Sequence, residues 1–312
     1  MSVPGWPPRA LVLTAGLGTR LRPLTYARAK AAVPVAGVPL VTRILRWLRS
    51  HDITEAVLNL HHRPETLTSL VGEGRDLGMS VRYSWEQPIL GSGGGPKRAI
   101  PLIERDPFLI VNGDTLTDVD LQALWAEHQR SGATVTMALV PNPAPDKYGG
   151  AVVDREGWVA GFTRRGSGVE SFHFIGAQVT AHAAFALVPE GEAGESVIGV
   201  YPIMMQERPH VVRAFVTQAS FLDIGTPRDY VDTNVAIAAV DGIEPWTRGA
   251  RVKMASSARV VRSILWDDVT VGEGAVLEEC VVTDGVTIPA GARYTRSAIV
   301  RGENAELIIA PI

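Results

Sequence analysis

The sequence predicts an α/β protein with a mostly parallel sheet, followed by a β-helical tail. Three observations carry this expectation. Strand-like apolar runs alternate with helical patterns as far as about residue 245. The first of these strands stops abruptly in a glycine loop at residues 15–20. From residue 246 onward, long helical patterns give way to a short repeat rich in valine, glycine and small residues.

Taken in order, residues 11–14 read as a buried strand. Residues 41–51 (VTRILRWLRSH) space Ile44, Leu45 and Leu48 along one helix face, with basic residues between them. A strand at 56–60, a helix at 64–71 and an alternating strand at 79–85 follow. Residues 108–111 form a continuous apolar run ending in Asn112-Gly113-Asp114, before a helical pattern at 120–130 and a strand at 134–140. In such a sheet, ligands bind beyond the carboxyl ends of the strands. The glycine loop and Asp114 both lie just after strands and are expected to share one crevice. His61-His62 also follows a strand, but adjacent side chains on an extended chain point apart, so the pair is read as structural.

In the tail, Ser263-Ile264, Cys280-Val281 and Ser297-Ala298 recur at intervals of 17 residues. Val271-Gly272-Glu273-Gly274-Ala275 returns at the same spacing as Ile288-Pro289-Ala290-Gly291-Ala292. Residues 254–258 are a degenerate earlier copy. This period suits three short strands per β-helical coil, with Val269, Ala275, Val286 and Ala292 facing inward. Trp266, Val281 and Val282 are expected on its surface, as an apolar contact for a neighbouring copy.

Composition sets the outer bounds. Of 312 residues, 46% are apolar and 20% charged, enough to bury a sizeable core. The 30 basic against 33 acidic residues, a formal charge of −3, argue against nucleic acid as the main partner. The single cysteine, Cys280, excludes an internal disulfide framework and fits a reducing compartment. MSVPGWPPRA holds no apolar signal core and no run has the length of a membrane span, so no membrane partner and a cytoplasmic location are expected.

The chemistry is concentrated in residues 11–39. Gly16 and Gly18 let the backbone approach a ligand closely, and successive main-chain N–H groups make an anion-binding concavity. Arg20 and Arg22 follow at once, and Lys30 stands further on. Strand, glycine loop and fixed cations suit a nucleoside triphosphate. A dinucleotide fingerprint would need a third glycine where Leu21 stands, and the P-loop sequence Gly-Lys-Ser/Thr is absent. A triphosphate calls for Mg²⁺, which takes one or two carboxylates plus phosphate oxygens and water. Asp114 and Asp223, the latter in Phe221-Leu222-Asp223-Ile224-Gly225-Thr226-Pro227, are the candidates.

Gly16-x-Gly18-Thr19-Arg20-Leu21-x-Pro23-Leu24-Thr25, followed by Lys30 and Val33-Pro34-Val35, resembles the signature of the sugar-1-phosphate nucleotidyltransferases. The resemblance implies a Rossmann-like nucleotidyltransferase fold over residues 1–245 and, for 246–312, the left-handed β-helix of hexapeptide-repeat proteins. It implies that an NTP and a sugar 1-phosphate give an NDP-sugar and pyrophosphate. In that reading Arg20 and Lys30 are catalytic, and Asp114 and Asp223 hold Mg²⁺. Leu13, Ala15, Gly16, Gly18 and Thr19 meet the nucleotide. The glycine-rich stretch EQPILGSGGG (residues 86–95) supplies Gly91 and Gly93 at the base, with Gln87 or Glu86 beside it. Gly149, in Tyr148-Gly149, together with Gly176 and Arg164 meets the sugar.

Two departures from the family pattern stand out. Lys30 lacks flanking prolines, and Phe162-Thr163-Arg164-Arg165-Gly166 replaces the usual Glu-Lys-Pro of the sugar side. The second departure motivates an alternative, a non-catalytic nucleotide-sugar-binding regulatory subunit. GTP with mannose 1-phosphate, UTP or dTTP with glucose 1-phosphate, and an amino-sugar 1-phosphate all remain open. Acyl transfer by the tail is excluded, because residues 246–312 contain no histidine.

Overall fold

The computed structural model describes residues 4–312. The chain runs β1 (Ala10–Leu13), a short hairpin of β2 (Pro34–Val35) and β3 (Val38–Pro39), α1 (Leu40–Ser50), β4 (Glu55–Leu60), α2 (Pro64–Val71) and β5 (Ser80–Trp85). Then come α3 (Gly91–Ile103), β6 (Phe108–Asn112), β7 (Thr115–Thr117), α4 (Leu121–Ser131), β8 (Val135–Pro141), β9 (Gly150–Val153), β10 (Val159–Thr163) and β11 (Phe172–Thr180). α5 (Tyr201–Glu207), β12 (Val212–Val216), β13 (Phe221–Asp223) and α6 (Pro227–Asp241) precede the tail. Local chemistry sets several ends: the Asp120 side chain accepts the Ala123 amide at the start of α4, and Gly132 takes the left-handed conformation at its end.

The chain divides into two compact units. One comprises the chain up to Gly16, Ile44–Pro64 and Val71–Leu222; the other comprises Leu17–Arg43, Glu65–Leu70 and Asp223–Ile312.

The first unit is built on a nine-stranded sheet in the order β10-β9-β11-β6-β1-β4-β5, with β8 on β11 and β12 on β8. It is parallel across β6-β1-β4-β5 and again at β8–β12, while β11 runs antiparallel to β6, β8 and β9. The parallel block is where the chain returns through crossover helices; antiparallel neighbours need only short connections. Leu11, Val57, Phe108, Ile110, Met137, Phe185 and Tyr201 belong to its core and are at most 1% exposed. β1 lies between β4 and β6, so Leu13 has Asn59 on one side and Asn112 on the other.

His128, buried on α4, has Nδ1 2.9 Å from the Thr136 hydroxyl. Burial pulls its pKa from 6.5 to about 4, against the opposing attraction of the Asp106 carboxylate. The unfolded chain therefore takes up this proton below about pH 6.5, and the folded one only near pH 4. Stability falls as pH drops through that window, by up to about 1.4 kcal/mol per pH unit. Denaturant midpoints measured across the window are expected to decline towards acid, and His128→Gln is expected to flatten the decline.

In the second unit the tail forms a β-helix. Its parallel sheets join Lys253–Met254, Thr270–Val271 and Thr287–Ile288; then Arg259–Val261, Val276–Glu278 and Arg293–Thr295; then Ile264–Leu265, Val281–Val282 and Ser297–Arg301. Register partners are 17 residues apart in each, as in Ile264↔Val281↔Ala298. Val269, Ala275 and Val286 are fully buried, and Ala292 is half-buried against the same core. A final antiparallel strand, Leu307–Pro311, covers Ser297–Arg301.

One expectation for the tail is overturned. Trp266, Val281 and Val282 are 1%, 0% and 0% exposed, so they offer no surface to a neighbour. Trp266 instead packs edge-on against Tyr230 and donates from Nε1 to its hydroxyl, 2.9 Å away. Among the described residues, no helix is long and apolar enough to cross a membrane.

Candidate active site

In the first unit the glycine loop begins under tight backbone control. The Thr14 amide donates to Asn59 Oδ1 at 2.6 Å and the Ala15 amide to the same atom at 3.3 Å. Asn59 Nδ2 donates to Glu86 Oε1 at 2.7 Å, and Glu86 Oε2 accepts the Leu90 amide at 2.8 Å. Asn59 and Glu86 are both 3% exposed, and satisfied polar pairs in such surroundings rigidify what they touch. Leu13, Ala15 and Gly16 thus leave β1 in a fixed direction. The signal for this network is an asparagine at the buried end of an otherwise apolar strand. Sequence reading offered Glu86 or Gln87 to a base; Glu86 is committed to Asn59 and Leu90, while Gln87 is exposed.

Of the glycine-rich stretch at residues 86–95, residues 86–90 form a loop and 91–95 the start of a helix. α3 begins at Gly91, and its glycines admit close neighbours within this unit. A Cβ on Gly95 would lie 2.5 Å from Glu86 Oε1 and 2.9 Å from Asn59 Nδ2. Cβ atoms on Gly91 and Gly93 would meet the Gly194 carbonyl at 2.7 and 3.0 Å, and one on Gly94 would overlap the Glu192 carbonyl. The Gly93 amide donates to that Gly194 carbonyl at 2.7 Å. The run of glycines therefore lets residues 192–195 lie directly on the first turn of α3, a long-range requirement that composition does not reveal.

Asp114 is half-buried just past β6. The Gly113 amide donates to the Leu13 carbonyl at 2.9 Å, and a Cβ on Gly113 would lie 2.5 Å from that oxygen. Gly176, with φ +82°, faces Asn112 closely: a Cβ there would stand 3.0 Å from that of Asn112, on a backbone conformation that favours glycine. Further along the sheet a cavity of about 270 Å³ is lined by Gly149, Phe162, Thr163, His173, Phe174 and Ile198, among others. His173 is packed between Tyr148 and Phe221, ring centroids 4.3 and 4.6 Å away, and burial lowers its pKa. Arg164 is exposed beyond β10.

The second unit holds Gly18, Thr19, Arg20, Lys30 and Asp223. Gly18 adopts φ +59°, its carbonyl accepts the Thr25 hydroxyl at 3.0 Å, and a Cβ there would stand 3.3 Å from Cβ of Lys30. Thr19 and Arg20 are exposed; Lys30 is 9% exposed. Arg20 and Asp223 come together at Gly225. A Cβ on that residue would lie 3.0 Å from Asp223 Oδ2, 2.9 Å from Asp229 Oδ2 and 3.3 Å from Arg20 Nη1.

The rest of the Asp-x-Gly-Thr-Pro motif starts α6. Thr226 and Asp229 form a reciprocal capping box, with the Asp229 amide donating to the Thr226 hydroxyl at 3.1 Å and the Thr226 amide to Asp229 Oδ2 at 2.9 Å. Pro227 occupies the first turn, where no amide hydrogen is needed.

Residues 9–240 match the family model described as nucleotidyl transferase. The chain belongs to the nucleotidyl transferase family. Residues 247–297 match a second model, the GlmU-like C-terminal hexapeptide domain, which gives the β-helix its left-handed type. Among sugar-1-phosphate members of the family, the mannose-1-phosphate guanylyltransferase of Mycobacterium tuberculosis is 29% identical over 92% of this chain and 83% of its own length. The D-glycero-alpha-D-manno-heptose 1-phosphate guanylyltransferase of Aneurinibacillus thermoaerophilus is 30% identical over 71% of this chain and 94% of its own. HddC from Yersinia pseudotuberculosis, crystallised with GMP-PN, shares the nucleotidyl transferase fold at a TM-score of 0.63 and 23% identity, over 73% of this chain and 99% of that one.

Proposed function

We propose that this nucleotidyl transferase makes an NDP-sugar and pyrophosphate from an NTP and a sugar 1-phosphate, with GTP as the preferred nucleotide and Mg²⁺ as cofactor. The observation that carries the reading is the convergence of Arg20 and Asp223 on Gly225, on the unit that also holds Gly18 and Lys30. GTP is favoured because the relatives named above are guanylyltransferases.

The sugar phosphate oxygen attacks the α-phosphorus in line with the departing pyrophosphate. That nucleophile is already an anion, so no general base is needed. Catalysis then rests on positioning and charge neutralisation. Leu13, Ala15, Gly16, Gly18 and Thr19 present the phosphate loop. Arg20 and Lys30 carry positive charge to the oxygens on which negative charge builds. Gln87, Gly91 and Gly93 are assigned to the base side, and Gly149, Gly176 and Arg164 to the sugar side.

Carboxylate oxygens are the ligand type that Mg²⁺ prefers. Among the described residues no group of three or more His, Cys, Asp or Glu side chains clusters as a metal cage, and Mg²⁺ with a triphosphate needs only one or two carboxylates. Asp114 and Asp223 would hold the ion, which supplies charge neutralisation to the triphosphate when bound. A cytoplasmic location is part of this proposal, in keeping with a reaction fed by NTP. The transferase domain is assigned to residues 1–245 and the β-helix domain to 246–312.

The test is pyrophosphate release from a matrix of NTPs and sugar 1-phosphates, with Mg²⁺ or with EDTA. Turnover of one pair that EDTA abolishes supports the reading and names both substrates. Silence across the matrix, with an NDP-sugar still raising the melting temperature, would replace it by the regulatory-subunit reading. Gly225→Ala gives a second check. The nearest atoms to the added methyl group are the side-chain ends of Asp229, Asp223 and Arg20, so it displaces these groups. A loss of about 10-fold or more in kcat is expected, with the modest drop in melting temperature that a weakened α6 cap brings.

A further inference from the structure

Within the second unit, one residue of the signature segment reaches away from the glycine loop. Arg28 extends its guanidinium to the β-helix, donating from Nε to Asp284 Oδ2 at 2.6 Å and from Nη2 to Asp284 Oδ1 at 2.6 Å. Nη2 also donates to Asp267 Oδ2 at 2.7 Å, and the guanidinium lies 5.4 Å from the centroid of the Trp266 ring. The side chain is only 13% exposed. Its acceptors are fixed in turn: the Asp267 amide donates to Asp284 Oδ1 at 3.1 Å, and Asp267 Oδ1 accepts the Ala250 amide at 2.7 Å.

A second tie leaves the same patch. Trp266 Nε1 donates to the Tyr230 hydroxyl, which donates at 2.7 Å to the Pro34 carbonyl. Residue 28 is thus clamped to Asp267 and Asp284, stacked on successive coils of the β-helix, and residue 34 is tied to Trp266 through Tyr230 of α6; Lys30 lies between the two in the chain. The Ala29 amide is also taken, donating to Thr66 Oγ1 at 3.1 Å. A bidentate, partly buried guanidinium clamp fixes direction as well as distance.

We propose that the β-helix is a positioning element for nucleotidyl transfer, and that Arg28, gripped by Asp284 and Asp267, is the positioning residue that holds Lys30 in place. The inference rests on the proposed role of Lys30 in the transfer. Without the two coils carrying Trp266, Asp267 and Asp284, residue 28 loses its clamp and the Tyr230 hydroxyl that holds residue 34 loses its own donor.

The experiment compares Arg28→Met, Asp284→Asn and Tyr230→Phe with Arg251→Met in the full chain. Arg251 pairs with Asp268 on the same β-helix at 2.6 and 2.7 Å, but both partners are exposed, and it serves as the control for mere loss of a β-helix ion pair. Arg28→Met is expected to lower kcat by about 10- to 100-fold, because small misplacements of a reacting group cost that much. Asp284→Asn and Tyr230→Phe should fall between it and the parent, Arg28→Lys should recover part of the loss, and Arg251→Met should match the parent. Amide exchange over residues 28–34 should quicken in Arg28→Met and not in Arg251→Met.

If Arg28→Met or, should that variant not fold, both Asp284→Asn and Tyr230→Phe keep the parent's kcat and exchange pattern, the inference is overturned. Parent protein that releases no pyrophosphate with any substrate pair defeats the functional reading instead. The exchange comparison then still decides whether Arg28 holds the segment.

Discussion

Asp114→Asn is expected to lower the rate of pyrophosphate release by about 10²- to 10³-fold, with the fold intact. The substitution keeps side-chain volume and removes one negative charge and one acceptor oxygen. Asp114 is half-buried at the end of β6, its Oδ1 accepts the Thr115 hydroxyl at 3.3 Å, and the bend before it is tied by the Gly113 amide to the Leu13 carbonyl. The effect should therefore fall on cation binding and on the charge developing at the phosphates. Steady-state kinetics over a Mg²⁺ titration would check this, beside a melting curve. A variant with the parent's rate at every Mg²⁺ concentration would remove Asp114 from the mechanism. Asp223→Asn should behave alike, since the start of α6 just after it is capped by Thr226 and Asp229.

Trp266→Ala is expected to destabilise the protein by about 3–5 kcal/mol, the cost of emptying a large buried aromatic site. Trp266 is 1% exposed and heads the fully buried side chains by volume. Its removal leaves a cavity, strips the Tyr230 hydroxyl of a donor and withdraws the ring from Arg28. Trp266→Phe restores most of the volume and should recover more than half of the loss. Denaturant titration monitored by far-UV dichroism measures both. A Trp266→Ala variant as stable as the parent, but altered in mass by light scattering, would restore the ring to the surface role expected from sequence.

That ring illustrates how the reading of the sequence and the fold part company. The β-helix period was legible because its strands pair with their own next copy, so a spacing of 17 in the chain is also the register in space. The glycine-loop signature was legible for a related reason: its glycines, Arg20 and Thr25 lie within one short stretch of backbone. Helix and strand order in the parallel block followed from hydrophobic periodicity, which each element carries within itself.

What tertiary structure alone decided has the opposite character. The buried pair of Asn59 and Glu86 joins two strand ends across 27 positions. The glycines of α3 answer to backbone carbonyls of residues 192–194, about a hundred positions away. Arg28 meets Asp267 and Asp284 at separations of 239 and 256. No periodicity links such residues, because the chain brings them together only after the sheet and the coil have each closed. Local propensity and repeat spacing determined the elements of this protein and its glycine loop. Long-range packing decided which polar groups are fixed, which apolar surfaces are covered and what holds the segment around Lys30, since burial depends on neighbours that sequence distance does not rank.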